Sequence, residues 1–198
     1  ASGIADGLAT YVEAQAVART NSQSMVGGQQ SIAGLAIAKA CEETLLKYGY
    51  SAYKAVEKKT VTPAVEAVIE ANTLLSGLGF ENAGLAAAHA IHNGFTAVPG
   101  KIHELSHGEK VAYGTLTQMV LEGRSDEEII KYIKFYRSIN MPTTLKDMHL
   151  DKVDYKELVK IGEKANDKND TLRNLNPNFT AEQVANALIG LDVLSQSI

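Results

Sequence analysis

The sequence has 198 residues, of which 45% are hydrophobic and 21% charged, and a formal net charge of −4. This length supports one domain with a sizeable core, and the negative balance argues against nucleic acid or an anionic membrane surface as a partner. No apolar run reaches the roughly 20 residues needed to span a bilayer, no signal peptide is visible, and the single cysteine, Cys41, cannot form an internal disulfide, so the cytoplasm is the expected compartment.

In chain order, residues 3–20 are Ala-rich and read as an amphipathic helix, with Leu8, Tyr11 and Val12 on one stripe and Asp6 near its start. Gly7 reads as backbone room for a ligand approaching Asp6. The polar stretch Thr20 to Gln30, containing Gly27-Gly28, is a loop. A second helix is expected over 31–48, ended by Gly49, with a shorter third over 50–58; Cys41 falls in the second and reads as a buried structural thiol. Thr62 followed by Pro63 opens a helix, because proline is pre-set for the first helical position. Val65, Val68, Ile69, Asn72 and Leu75 make that helix apolar enough to be central. Gly77-Leu78-Gly79 and Gly84 read as a helix end and loop. Their spacing is not G-x-G-x-x-G, and a helix precedes them where a dinucleotide turn needs a strand. No Walker-type phosphate loop appears either.

The chemistry concentrates between Phe80 and Glu122, where four of the five histidines, His89, His92, His103 and His107, fall close together. Histidine titrates near neutral pH and is the commonest metal ligand. His89 and His92 are spaced i, i+3 on an Ala-rich helix and share a face. Asn93-Gly94 is expected to stop that helix, with glycine in the left-handed conformation, and Pro99-Gly100 to turn the chain. Ser106 and Glu109 form an S-x-x-E capping box, which places His107 in the first turn of the next helix beside Gly108, a residue with no side chain to block a ligand. Glu109 is thereby occupied by the cap. His103 and His149 read as surface or structural residues. His89 and His107, on rigid helix positions, read as metal ligands. A carboxylate is the natural third donor for a metal that keeps an open position, and spacing leaves that donor open among Asp6, Glu13, Glu43 and Glu70.

Further capping signals open helices at Ser125 with Glu128 (126–138), at Asp154 with Glu157 (to about Ala165) and at Thr180 with Gln183, the last carrying Val184, Leu188, Leu191 and Leu194. Met141-Pro142 breaks the chain before a short turn around Thr143 to Met148, and the Asn-rich run Asn166 to Asn178 reads as a loop. No strand signal survives. The expectation is one all-α domain, 1–198, of about nine helices.

The stretch GFENAGLAAAHAIHNGFTAVPGKIHELSHGEKVAYGTL resembles the metal-binding region of bacterial glycerol dehydrogenases, in the iron-containing (group III) alcohol dehydrogenase family. The likeness extends through SGIADGLATYVEA, KACEETLLKYG and VTPAVEAVIEANTLLSGLGF, and so covers essentially the whole chain. It implies that Asp6, His89 and His107 are the metal ligands, also touching substrate. It further implies zinc as the ion, with iron(II) accepting the same donors, and glycerol or a related small diol as substrate. It implies the helical half of a two-domain enzyme whose α/β NAD-binding half is absent from this chain, and a homo-oligomer. His92, one turn from His89, is expected as a proton relay or supporting residue, against a plain hydrogen-bonded role. Phe80 is expected as a wall of the substrate pocket, against a plain core aromatic. Two readings from other classes are a helical metal-dependent hydrolase and a non-catalytic oligomerisation module.

Overall fold

A computed structural model describes residues 1–198. It contains nine α-helices: α1 (Ser2–Thr20), α2 (Ile32–Glu57), α3 (Pro63–Glu70), α4 (Ser76–Ala83), α5 (Ala87–Gly94), α6 (His107–Leu121), α7 (Asp126–Ser138), α8 (Tyr155–Ala165) and α9 (Ala181–Gln196). Short 3₁₀ turns lie at Phe95–Ala97, Lys101–Glu104 and Thr171–Asn174, and a π turn at Ala71–Leu75 joins α3 to α4 as one rod. There is no strand; the only β pairing is an isolated bridge between Gln23 and Gln29. No helix is long and apolar enough to cross a membrane.

The capping chemistry expected from sequence is present. Thr62 accepts from Val65 N ahead of Pro63, Ser125 from Glu128 N and Asp154 from Glu157 N, while Ser106–Glu109 and Thr180–Gln183 close reciprocal boxes. Each satisfies backbone donors that a helix start leaves without an intrahelical partner.

Two helices form the middle of the molecule. α1 lies against α2, α4 and α6, and α6 lies against α1, α5 and α9. α6 is buried without a break from Val111 to Met119. Its buried threonines are satisfied within the helix, Thr115 donating to Val111 O and Thr117 to Tyr113 O, and the small residues of both helices let neighbours approach from several directions. Gly114 shows the limit: a Cβ there would stand 2.4 Å from the carbonyl oxygen of Ala88. α1 is buried on more than the one stripe expected of an amphipathic helix. Eleven of its residues are buried, among them Leu8 and Val12, leaving little of it in contact with solvent.

Other expectations are corrected by packing. Gly49 does not end a helix, and α2 runs unbroken through it to Glu57. Gly49 is small because a Cβ would meet the Phe135 ring at 2.9 Å. Gly77 and Gly79 lie inside α4, which ends at Gly84 in the left-handed half of the backbone map (φ 87°). The helix opened by Pro63 is peripheral rather than central, because only Val65 and Val68 of α3 are buried and Ile69 is 54% exposed. Gly94 keeps helical dihedrals, and the chain continues into a 3₁₀ turn. Its Cβ would come within 2.5 Å of Ile161 O, so close approach to α8, rather than a left-handed stop, explains the glycine. Gly100, by contrast, does take a positive φ of 112° in the turn after Pro99.

Cys41 is buried, its thiol directed at the carbonyls of Gly7 and Ala71, and burial pushes its pKa up to about 12. It is a structural thiol.

Candidate metal centre

Three elements bring three donor side chains together. Asp6 comes from the second turn of α1, His89 from the first turn of α5 and His107 from the first residue of α6. Asp6 Oδ1 lies 3.3 Å from His89 Nε2 and 3.1 Å from His107 Nε2. The ligating atoms of all three lie within 4.8 Å of one another, and no other group of His, Cys, Asp or Glu side chains converges in this way. Zinc–nitrogen and zinc–oxygen bonds of about 2.0–2.2 Å place tetrahedral donors roughly 3.4 Å apart. The two measured edges are close to that spacing. The set of one carboxylate and two imidazoles also suits a catalytic ion with an open position.

The backbone explains the convergence. His107 reaches Asp6 because the start of α6 packs directly on the start of α1. A Cβ on Gly108 would stand 2.0 Å from Ser2 O, and Gly108 N donates to Ser2 Oγ. Gly108 thus serves helix contact rather than ligand access. Gly7 likewise faces away from the site, toward Leu45 and Cys41 of α2.

α5 begins without a capping side chain of its own, since its N-cap is Ala86. Its exposed donors are taken by two buried residues from other helices. Glu13 Oε1 accepts from Ala86 N (2.8 Å) and His89 N (3.1 Å), and Gln118 Oε1 accepts from Ala87 N and Ala88 N, both at 2.9 Å. Glu13 Oε2 also lies 2.5 Å from His89 Nδ1. Glu13 is fully buried, and a carboxylate there is favoured by the positive end of the α5 dipole. The loop 166–178 holds the same segment from the other side. Thr171 Oγ1 donates to Ala86 O and Asn174 Nδ2 to Leu85 O. Sequence reading treated Glu13 only as a rival to Asp6 and missed Gln118. The available signal was two long polar side chains inside otherwise apolar helices, where burial demands a partner.

These contacts set the charge states. Burial opposes ionisation of Asp6, but hydrogen bonds from His107 and His89 prevail and hold its carboxyl well below the usual carboxylate range. Burial alone would lower the pKa of His89, yet the charge of Glu13 and the bonds to Asp6 and Glu13 raise it to about 10. The ring thus carries a proton on each nitrogen, Nδ1 toward Glu13 Oε2 and Nε2 toward Asp6 Oδ1.

Asp6, His89 and His107 line a cavity of about 230 Å³ together with Thr10, Ser76, Phe80 and Leu85. Phe80 therefore lines the same cavity as the three donor side chains. Ser76 and Phe80 of α4, which follows the π turn at Ala71–Leu75, line the cavity, while Val65 and Val68 of α3 belong to the core. His92 lies outside the ligand set, with its ring centroid 4.3 Å from that of His107 and Nδ1 3.1 Å from Asn93 Oδ1. Burial, reinforced by the charge of His107, lowers its pKa to about 4, so its imidazole is neutral near pH 7. His103 bonds Val98 O at 2.8 Å, and His149 is exposed; neither joins the cluster.

No protein-family model matches the chain. Individual relatives do. Glycerol dehydrogenase 1 of Schizosaccharomyces pombe is 47% identical over 195 residues, covering 98% of this chain and 43% of that protein. The crystal structure of glycerol dehydrogenase from the same yeast superposes with a TM-score of 0.96 over 98% of this chain and 50% of the solved one. By sequence and fold together, this chain matches the helical half of glycerol dehydrogenases. Glycolaldehyde reductase of Halobacterium salinarum is 45% identical over the whole chain and 54% of its own length. An iron-containing alcohol dehydrogenase from Thermococcus thioreducens shares the fold at 18% identity, with a TM-score of 0.68 over 96% of this chain and 49% of that one. The chain thus spans about half the length of the relatives it matches.

Proposed function

We propose that this chain is the metal-binding half of an NAD-dependent dehydrogenase acting on glycerol or a related small diol, with Asp6, His89 and His107 holding one divalent ion. The observation that carries the reading is the convergence of those three donors on one small cavity, in a chain similar throughout to glycerol dehydrogenases. Zinc fits the donor set best, and iron(II) accepts the same ligands. NAD is held mainly by an α/β half outside this chain, since no glycine-rich dinucleotide turn occurs in it.

When bound, the ion supplies a Lewis acid that lowers the pKa of a substrate hydroxyl and stabilises the alkoxide. The protein's side chains do the rest. Asp6 contributes one negative charge, leaving the divalent site net positive once both imidazoles are neutral. Phe80 and Leu85 give the cavity an apolar wall that limits water, while Thr10 and Ser76, hydrogen-bonded to each other at 3.0 Å, present hydroxyls suited to a polyol. His92, packed on the His107 ring and outside the cavity lining, would support His107 or relay the substrate proton through it. The H. salinarum relative, named for glycolaldehyde, favours a two- or three-carbon substrate. Those relatives are oxidoreductases by name, which favours this reading over a hydrolase, and the converging donors favour it over a purely assembling module. We place the enzyme in the cytoplasm as a homo-oligomer, in keeping with its free buried cysteine and its likeness to glycerol dehydrogenases.

Elemental analysis tests the centre. Asp6→Ala, His89→Ala and His107→Ala are each expected to strip the metal, and His103→Ala to retain it. Full retention after His89→Ala would reject the assignment. NADH formation from glycerol is expected from the complete polypeptide and not from this chain alone.

A further inference from the structure

Glu13 is the most deeply buried carboxylate near the site, and metal ligation does not use it. Its two oxygens have different duties. Oε1 accepts two backbone N–H groups of α5, from Ala86 and His89, and Oε2 faces His89 Nδ1 at 2.5 Å. A carboxylate can only accept, so Nδ1 keeps a proton, and once Nε2 gives up its own, as metal ligation requires, the ring's lone pair is on Nε2. Nε2 is the nitrogen directed at Asp6 Oδ1, into the donor cluster. From this geometry we infer that Glu13 is the positioning residue of the metal centre, selecting the Nδ1–H form of His89 so that Nε2 is free to ligate. The same side chain ties the ring to the start of α5, so ring orientation and helix placement are set by one group. The inference rests on the metal reading above and adds to it a residue that does not touch the ion.

The two bonds to α5 make Glu13→Gln a discriminating change. The amide has one accepting oxygen and one donating nitrogen. Oriented with its oxygen toward the two backbone donors, it keeps the cap and turns an NH₂ toward His89 Nδ1. That arrangement favours the ring form with its proton on Nε2, which cannot bind metal through the nitrogen that faces the donor cluster. The flipped amide would support His89 but orphan two buried backbone donors. Either choice opposes ligation, although Gln and Glu have nearly the same size.

The test is zinc affinity of the complete protein, measured by competition with a colorimetric chelator, for the unaltered chain and for Glu13→Gln. Partners of metal-bound histidines typically contribute 10–100-fold to affinity, and a loss of about that size is expected. A residue that merely capped α5 would lower the thermal midpoint yet leave the folded protein's zinc affinity unchanged. Should the variant fail to fold, histidine ¹⁵N NMR of the unaltered zinc-loaded protein decides the matter. A hydrogen-bonded proton on His89 Nδ1 with zinc on Nε2 supports the proposal; zinc on Nδ1 overturns it. Tight zinc binding by the unaltered protein with equal affinity in the variant overturns the role of Glu13 alone. No zinc binding by the unaltered protein overturns the metal reading and this proposal together.

Discussion

Gly108→Ala adds one methyl group at the contact that brings His107 to Asp6. The new carbon would stand 2.0 Å from Ser2 O, 2.5 Å from Ser2 Oγ and 2.6 Å from Ser2 C. Two of those atoms are backbone, so no rotamer change relieves the overlap. Reaching an ordinary contact of about 3.4 Å requires the starts of α1 and α6 to part by about 1.4 Å. Asp6 and His107 ride on those two helix starts, whereas metal–ligand distances tolerate only about 0.2 Å. The rest of α6 stays anchored, by Gln118 to Val12 O and by Tyr113 Oη to Leu188 O. The expected outcome is a folded protein, less stable by about 1–3 kcal/mol, with a thermal midpoint lower by about 2–12 °C for a chain of this size. Its zinc affinity should fall at least tenfold. Chelator competition and a thermal melt measure the two effects on one sample. Unchanged zinc affinity in a folded Gly108→Ala protein would refute the argument that this helix contact sets the site geometry.

Gln118→Ala leaves Ala87 N and Ala88 N buried without acceptors; at about 1–3 kcal/mol for each such group, denaturant unfolding should show a loss of about 2–6 kcal/mol. In Gly114→Ala the overlap is with the backbone oxygen of Ala88, so a comparable or larger loss is expected, along with slower formation of the α5–α6 pair. For Glu42, burial raises the carboxyl pKa, partly opposed by the hydrogen bond from Tyr132 and the charge of Arg124. A raised folded-state pKa means its contribution to stability is fully present below the unfolded value of about 4.3 and lost as pH rises through the folded value. Glu42→Gln, which still accepts from Tyr132, should therefore gain on the unaltered protein in thermal midpoint as pH rises from about 4 to about 7. A difference that stays flat over that range would mean Glu42 titrates alike in both states.

The sequence by itself determined the helices whose start signals are local. Pro63 after Thr62, Ser106 with Glu109, Ser125, Asp154, and Thr180 with Gln183 act through bonds to backbone donors three residues away, and those bonds form in the structure. His89 and His107 were legible for the same reason, as two rigid helix positions in one short stretch. What bonds across the fold was not legible. α5 has no local cap because its partners, Glu13 and Gln118, stand 73 and 31 residues away. Asp6 is distinguished from other carboxylates by resemblance and by its place beside both histidines, not by any spacing of its own. The glycines show the limit most plainly. Gly49, Gly94 and Gly108 read locally as a helix end, a left-handed stop and open ligand space, yet each is set by an atom of another helix lying within 3 Å of a would-be Cβ. A helix cap is a hydrogen bond within one turn, so its partners are adjacent in the chain. Helix packing is a contact between surfaces, and only the tertiary structure decides which surfaces meet.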